Sequence, residues 1–206
     1  LNPSVFSSEN ENPLSDFCDS FKDSEIRILY VGNFAVRRHL DFIGDVVKEL
    51  NDRGHKTSFV IVGGKNTPYG EWCWQYFHDH GIMPYVKYIE KAEQKYMGLI
   101  YESCDFLLFP AEYEIFGMVL LEAMYFGSVV ISATNGGSST LIQDKENGFI
   151  NDSLDIENWC RLILEINRNK KRKASIKKKA HETICNRFTW DALAGEFEKV
   201  YLQHLK

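Results

Sequence analysis

The 206-residue chain has no excess of positive charge: 24 Lys and Arg stand against 29 Asp and Glu, a formal net charge of −5. No global basic field steers such a chain toward nucleic acid, so any anion site must be local. Its five cysteines, at 18, 73, 104, 160 and 185, form no C-x-x-C pair and no Cys/His cluster at zinc-ligand spacing. That argues against a zinc module and a disulfide scaffold and fits free thiols in a reducing compartment. Long apolar runs are also absent. The longest charge-free stretch, Ala123 to Gln143, is interrupted by Asn-Gly-Gly-Ser-Ser-Thr, which hydrocarbon would leave unsatisfied, so no transmembrane helix is expected. The opening LNPSVFSSEN has neither an initiator Met nor a basic start followed by an apolar run. It reads as an internal start with no signal peptide.

What is present is an ordinary globular composition, with 44% hydrophobic and 26% charged residues. A chain of this length buries roughly 70% of the surface it would expose unfolded, enough for a core without staples. Residues 1–24 are rich in Ser, Asn, Asp and Glu and read as a linker. From residue 25 onward, β-branched and aromatic runs (IRILYVG, TSFVIVGG, YVKYI, DFLLFP, SVVISA) alternate with amphipathic stretches. Continuous apolar strands separated by helices predict an α/β, Rossmann-like parallel sheet covered on both faces, filling residues 25–206 as one domain. After Gly148 the strands are expected to stop, leaving a carboxyl-terminal helical tail of three helices, Leu154 to Ile166, Lys170 to Arg187 and Trp190 to Leu205. In such sheets ligands lie beyond the carboxyl ends of the strands, so chemistry is expected in those loops.

The most informative segment is Phe109 to Gly137, FPAEYEIFGMVLLEAMYFGSVVISATNGG. It reads as strand, acidic loop, helix, strand. Glu114 precedes a helix that begins near Ile115, Phe116 and Gly117, and Glu122 lies two turns further on. A helix start offers unpaired amides and partial positive charge, and Gly117 lets an anion approach the backbone, so the amides of Gly117, Met118 and Val119 can hold a phosphate. Carboxylates beside them suit hydroxyls, a layout appropriate to a nucleotide sugar. Taken alone, a glutamate pair is more commonly one dipole complement and one solvated helix residue.

The string EIFGMVLLEAMYFGSVVISATNGG closely resembles the signature of the family-four glycosyltransferases of GT-B architecture, the glycosyl transferases group one. VGNFAVRRHLDFI is similar to the family's first strand and loop, FVIVGG to its second strand, YVKYI to the strand that passes the base, DKENGFI to the loop after Gly-Gly, and FTWDALAGEFEKVYLQHL to its closing helix. LNPSVFS is similar to the segment following the family's amino-terminal domain. The resemblance implies the carboxyl-terminal, donor-binding half of a GT-B fold, with a missing amino-terminal acceptor domain. It implies a retaining transfer of sugar from a nucleoside diphosphate sugar to a hydroxyl, with no cofactor and no metal, in polysaccharide, lipopolysaccharide or glycoconjugate synthesis. By position it implies that Glu114 contacts the transferred sugar, that Glu122 holds the ribose, and that the amides after Phe116-Gly117 meet the diphosphate. Arg38, where the family usually has Lys, would balance the leaving diphosphate, and Gly32 and Asn33 would line the donor site.

Two departures stand out. Asn33 replaces the Arg that commonly follows the strand glycine, removing one positive charge, with Arg37 placed to compensate. Thr140 replaces a glutamate three residues after Gly-Gly. No Asp-x-Asp pair occurs, which disfavours the glycosyltransferase class that holds a metal on the diphosphate. His78-Asp79-His80 reads as exposed capping residues, with no metal assigned there. The aromatic cluster Trp72, Trp74, Tyr76 and Phe77 reads as core packing with one ring exposed. The run Lys170 to Lys179 holds seven basic residues, with peripheral contact to an anionic membrane the rival to a solvated helix face. The expected setting is cytoplasmic, with the inner face of the membrane as the alternative. Two rival functions share the donor site: a GT-B-like sugar-nucleotide epimerase and a non-catalytic nucleotide-sugar sensor.

Overall fold

The computed structural model of the chain describes residues 1–6 and 13–204. Six strands form one parallel sheet: β1 (Ile26–Val31), β2 (Thr57–Val62), β3 (Val86–Ile89), β4 (Phe106–Phe109), β5 (Val129–Ser132) and β6 (Phe149–Ile150). Their order is β3-β2-β1-β4-β5-β6, so the direction of winding reverses between β1 and β4. The crossovers carry α2 (Leu40–Asp52), α3 (Pro68–Asp79), α4 (Met97–Ser103), α5 (Met118–Tyr125) and α6 (Gly136–Leu141). The expected helical tail is α7 (Ile156–Arg168), α8 (Lys170–Arg187) and α9 (Trp190–His204), broken at Phe188 and Thr189.

Alternation along each strand divides the core in two. Ile26, Ile28, Tyr30, Phe106, Leu108, Val129 and Ile131 join the cluster that includes Leu40, Ile43, Phe77 and Trp159, under α2, α3 and α7. Leu29, Leu107, Phe109 and Val130 face the opposite cluster, with Ile100, Tyr101, Leu121 and Ile184 from α4, α5 and α8. Side chains pointing to opposite faces by turns explain why both faces of these strands are apolar. Helix starts are capped where the loop must stop: Thr67 accepts from the Gly70 amide with Pro68 in the first turn, and Asp155 accepts from Glu157 and Asn158.

Two elements differ from expectation, and a third, α6, has no counterpart in the sequence reading. The strands do not stop at Gly148: β6 follows at once and pairs with β5 through Ile131 and Phe149. Two residues are too few to show a period of two. The Gly-Gly-Ser-Ser-Thr segment forms α6 despite poor propensity, because Asn135 and Ser138 build a reciprocal capping box. Within the expected linker, α1 (Ser15–Asp19) packs on α4, and Leu14, Cys18 and Phe21 are buried with the second cluster. Cys18 in the helix, Leu14 at its cap and Phe21 just past its end carry the apolar contact inside a polar composition. Residues 7–12 of that segment, and the last helix beyond residue 204, lie outside the described residues.

The basic run is not a uniform face. Lys173 is buried and bonds Asp105 at 2.6 Å and Asn167 at 3.0 Å. Arg172 pairs with Glu165, Lys178 with Glu182 and Lys179 with Glu146. On α3, Cys73 and Phe77 are buried, Trp74 and Tyr76 pack partly against the core, and Trp72 is the exposed ring. Among the described residues no helix is long and apolar enough to cross a membrane.

Candidate donor site

The reversal between β1 and β4 leaves an opening at the carboxyl ends of the strands, where crossovers depart to opposite faces. A cleft of about 310 Å³ lies there, lined by Gly32 and Asn33 after β1, Gly63 and Gly64 after β2, Glu90, Lys91 and Gln94 after β3, and Met97 and Glu122. A larger groove, about 690 Å³, runs over α7 beside Arg53, Glu157, Arg161 and Glu165. Its lining pairs Arg53 with Glu157 and holds Arg161, Arg168 and Lys170 beside Glu165, but it has no glycine floor and none of the residues expected to meet a donor. The smaller cleft is the better site on chemical grounds.

Its floor is built by glycine. A Cβ on Gly63, whose φ is +149°, would lie 1.9 Å from the Gly32 carbonyl oxygen, so the loops after β1 and β2 approach closely only without side chains. A Cβ on Gly32 would meet the Arg38 guanidinium at the same distance, which places Arg38 directly behind the cleft floor. Arg38 ends the 3-10 turn Val36–Arg38. It bonds Glu114 at 3.1 Å and lies over the Phe109 ring at 5.6 Å, while its Nε is buried without a hydrogen-bond partner among the described residues. Tyr30 runs under this turn and donates to the Asn33 carbonyl at 2.8 Å. Burial pushes the Tyr30 phenol up to about 12 against the opposing charge of Arg38, so it stays a neutral donor.

Glu122 projects from the middle of α5 and is only 7% exposed, which removes it from the solvated-helix alternative. It accepts from Tyr101 Oη at 2.7 Å and Gln94 Nε2 at 3.2 Å. Burial raises its carboxyl above the ordinary glutamate value, and both hydrogen bonds oppose that shift. Two donors hold the group in place while its remaining lone pairs border the cleft.

The helix start expected to hold a phosphate is α5. Gly117 is its N-cap, with φ +77° and no side-chain cap, so the amides of Met118 and Val119 keep their partial charge. Gly117 is buried, Val119 half-buried, and Phe116 and Met118 exposed on the rim. None of these four lines the cleft proper. The loop before them is pressed against α6: Cβ atoms on Gly136 and Gly137 would meet the carbonyls of Glu114, Ile115 and Phe116 at 2.5–2.8 Å, and the Gly137 amide donates to Glu114 at 3.2 Å.

The structure thus brings Gly32, Asn33 and Glu122 into one cleft and sets Arg38 and Glu114, paired, beside it. Arg37 is exposed on the rim, and Thr140 bonds its own helix at the Gly136 carbonyl. Gln94, Tyr101, Gly63, Gly64, Glu90 and Lys91 escaped the sequence reading. Tyr101 looks like any core aromatic, and only FVIVGG carried a signal, the paired glycines ending a strand.

Known proteins resemble the chain in sequence and in fold. Residues 16–183 match the family model described as glycosyl transferases group 1. An uncharacterized glycosyltransferase of Methanocaldococcus jannaschii is 25% identical over 182 residues, 87% of this chain and 45% of that protein. The crystal structure of HepE from Anabaena with UDP-glucose superposes with a TM-score of 0.81 at 16% identity, over 98% of this chain and 56% of that one. A carboxyl-terminal domain of a glycosyl transferase group 1 family protein from Francisella tularensis superposes with a TM-score of 0.74 at 16% identity, over 92% of this chain and 99% of that domain. The chain spans less than half the length of the curated relatives it matches.

Proposed function

The chain belongs to the glycosyl transferases group 1, and from that premise we propose that it forms the donor-binding half of a retaining, metal-independent glycosyltransferase. The substrate is a nucleoside diphosphate sugar, and the acceptor is a hydroxyl presented by a further domain. The observation that carries this reading is the buried Glu122 bordering a glycine-floored cleft, with Arg38 directly behind the floor. The glycines let a diphosphate approach the backbone, Arg38 supplies the counter-charge, and Glu122 accepts the two ribose hydroxyls. Solved relatives lend support, since HepE is described with UDP and with UDP-glucose.

During transfer the bond between the anomeric carbon and the diphosphate oxygen breaks, leaving negative charge on the diphosphate and positive charge on the ring. Arg38 and the first amides of α5 stabilise the former, and a preorganised donor of this kind contributes ~3–4 kcal/mol in the transition state. Glu114 orients the sugar beside the forming positive charge. No covalent nucleophile is assigned, because the sequence alone does not show a carboxylate placed opposite the leaving group, and in this metal-independent reading Arg38 and the amides supply the counter-charge on the diphosphate. Retention at the anomeric carbon, and a role in surface polysaccharide or glycoconjugate synthesis, rest on the family resemblance. The exposed lysines of α8, Lys170, Lys171, Lys178 and Lys179, are the surface available for contact with an anionic membrane.

A thermal-shift panel of UDP-, GDP- and ADP-sugars tests the reading. A donor at a hundred times its dissociation constant adds ~2.7 kcal/mol of stability. Glu122→Gln, which keeps shape but loses charge, should abolish most of the best shift. An unchanged shift in that variant would put the donor elsewhere. Binding without transfer by the full-length protein would favour the sensor, and epimerisation without acceptor the epimerase.

A further inference from the structure

Three polar contacts join the loop after β1 to the loop after β4, and they fall on consecutive residues. The Arg37 carbonyl accepts the Glu112 amide at 3.1 Å, Arg38 bonds Glu114 at 3.1 Å, and His39 Nε2 lies 3.0 Å from Glu112 Oε1. A carboxylate only accepts, so Nε2 carries the proton in that contact. His39 occupies the left-handed region, with φ 48° and ψ 50°, between Arg38 and the first residue of α2. A side chain with a Cβ is disfavoured there and glycine is not. What the imidazole provides in return is a tether to the exposed Glu112, two residues before Glu114.

We propose that His39 and Glu112 are a positioning pair, a clasp that fixes the loop of Glu114 against the loop of Arg38 so that both meet the donor at the right separation. The inference rests on the reading of Arg38 and Glu114 as donor-facing groups. Neither His39 nor Glu112 touches a reacting atom, and each acts only through its neighbour. The α6 end grips this loop on both sides of the clasp, Asn135 donating to the Ala111 carbonyl at 2.9 Å and Gly136 and Gly137 pressing on it from Glu114 onward, and the side chain between them, Glu112, is the one that His39 tethers.

His39→Gly separates positioning from stability. Glycine accepts the backbone conformation, so the melting temperature should hold or rise, while a plain packing role would lower it. The same variant should bind the best of UDP-glucose, GDP-mannose and ADP-glucose at least about tenfold more weakly, the scale of one charge-assisted hydrogen bond. Exchange of the Glu112 amide should also accelerate. Glu112→Ala, at an exposed position where truncation costs little stability, should match the loss of affinity. Glu112→Gln, which keeps an acceptor for the His39 N–H, should recover most of it. Wild-type affinity and unchanged Glu112 exchange in His39→Gly would overturn the clasp. A wild-type chain that binds none of the three sugar nucleotides would overturn the proposed function instead, and the exchange measurement would still decide whether the clasp orders the loop.

Discussion

The Arg38 guanidinium and the Glu114 carboxylate meet at 3.1 Å, with both side chains largely shielded from solvent. Two groups assigned to opposite partners, the diphosphate and the sugar, thus neutralise each other before a donor arrives. Donor binding must exchange that contact for two others. Arg38→Ala should therefore weaken UDP binding by about tenfold or more, and Arg38→Lys by less, because the point charge remains while the forked geometry is lost. Glu114→Gln should release Arg38, so UDP should bind at least as well as to the wild type while the additional affinity for a UDP-sugar disappears. Calorimetric titration with UDP and with the UDP-sugar separates these effects. Equal weakening toward both ligands in Glu114→Gln would contradict the assignment of Glu114 to the sugar.

Glu122 predicts opposite pH trends for stability and for binding. Burial raises its carboxyl above the unfolded value, so the native state holds a proton more tightly than the unfolded chain. The stability this provides is fully present below the unfolded pKa and is lost as pH rises through the raised one. Gripping ribose hydroxyls requires the carboxylate, so donor affinity should fall as pH drops through the same raised value. Tyr101→Phe removes a hydrogen bond that favours the charged form and should move the binding midpoint to higher pH. Donor-induced thermal shifts measured from pH 4 to pH 8 read this directly, and a pH-independent shift would count against Glu122 as the ribose acceptor.

At the opposite end of β4, Asp105 bonds Arg27 at 2.8 Å and Lys173 at 2.6 Å. Burial pushes the Asp105 carboxyl up, but the Arg27 hydrogen bond and the Lys173 charge outweigh it and hold the carboxyl below the ordinary aspartate value. Burial pulls the Lys173 ammonium down, opposed by Asp105, and the pair is ionised because each charge has its counter-charge at hydrogen-bond distance. A depressed carboxyl contributes stability above its unfolded pKa that disappears as pH falls through the folded one. Lys173→Met should cost about 3 kcal/mol near neutral pH, since it leaves a buried carboxylate with one partner, and should narrow the acid-sensitive part of the stability curve. Donor affinity should not change. Urea denaturation at pH 7 and pH 3, beside a donor titration, checks both halves.

The same residues show why some of the molecule was legible in the sequence. Four of the five longer strands announced themselves as largely apolar on both faces, and β3, half-buried throughout and carrying Lys87, by its Val, Tyr and Ile. Glu114 and Glu122 stood out through the family resemblance of the string around them, since a glutamate pair alone reads more commonly as a dipole complement and a solvated helix residue. What escaped was pairing across long separations. Glu122 meets Tyr101 from 21 residues away and Arg38 meets Glu114 from 76. Lys173 is indistinguishable in sequence from its solvated neighbours until α8 folds over Asp105. In and beside α1, Leu14, Cys18 and Phe21 were too few in a polar stretch to outweigh the composition around them.

The two glycines that open α6 are the most direct lever on the site, because they act on its shape without carrying any of its chemistry. A methyl group at Gly137 would lie 2.5 Å from the Phe116 carbonyl oxygen and 3.1 Å from the Gly117 amide nitrogen. Backbone atoms cannot swing aside as a flexible side chain does, so the segment carrying Glu114 and the start of α5 must shift. Overpacking of this kind costs about 1–3 kcal/mol, which a domain of this size survives. Gly137→Ala should therefore remain folded with a modestly lowered melting temperature, yet lose far more donor affinity than that stability change accounts for, since a displacement of ~1 Å in a positioning loop can cost on the order of a hundredfold. Gly195 supplies the control: it lies in α9 with nothing within 4 Å of an added Cβ. Gly195→Ala should stabilise the helix by up to about 1 kcal/mol and leave affinity alone. Circular dichroism melts of the two variants would then move in opposite senses while donor titrations weaken for Gly137→Ala alone, and a Gly137→Ala protein with wild-type affinity would show that the loop of Glu114 does not shape the donor site.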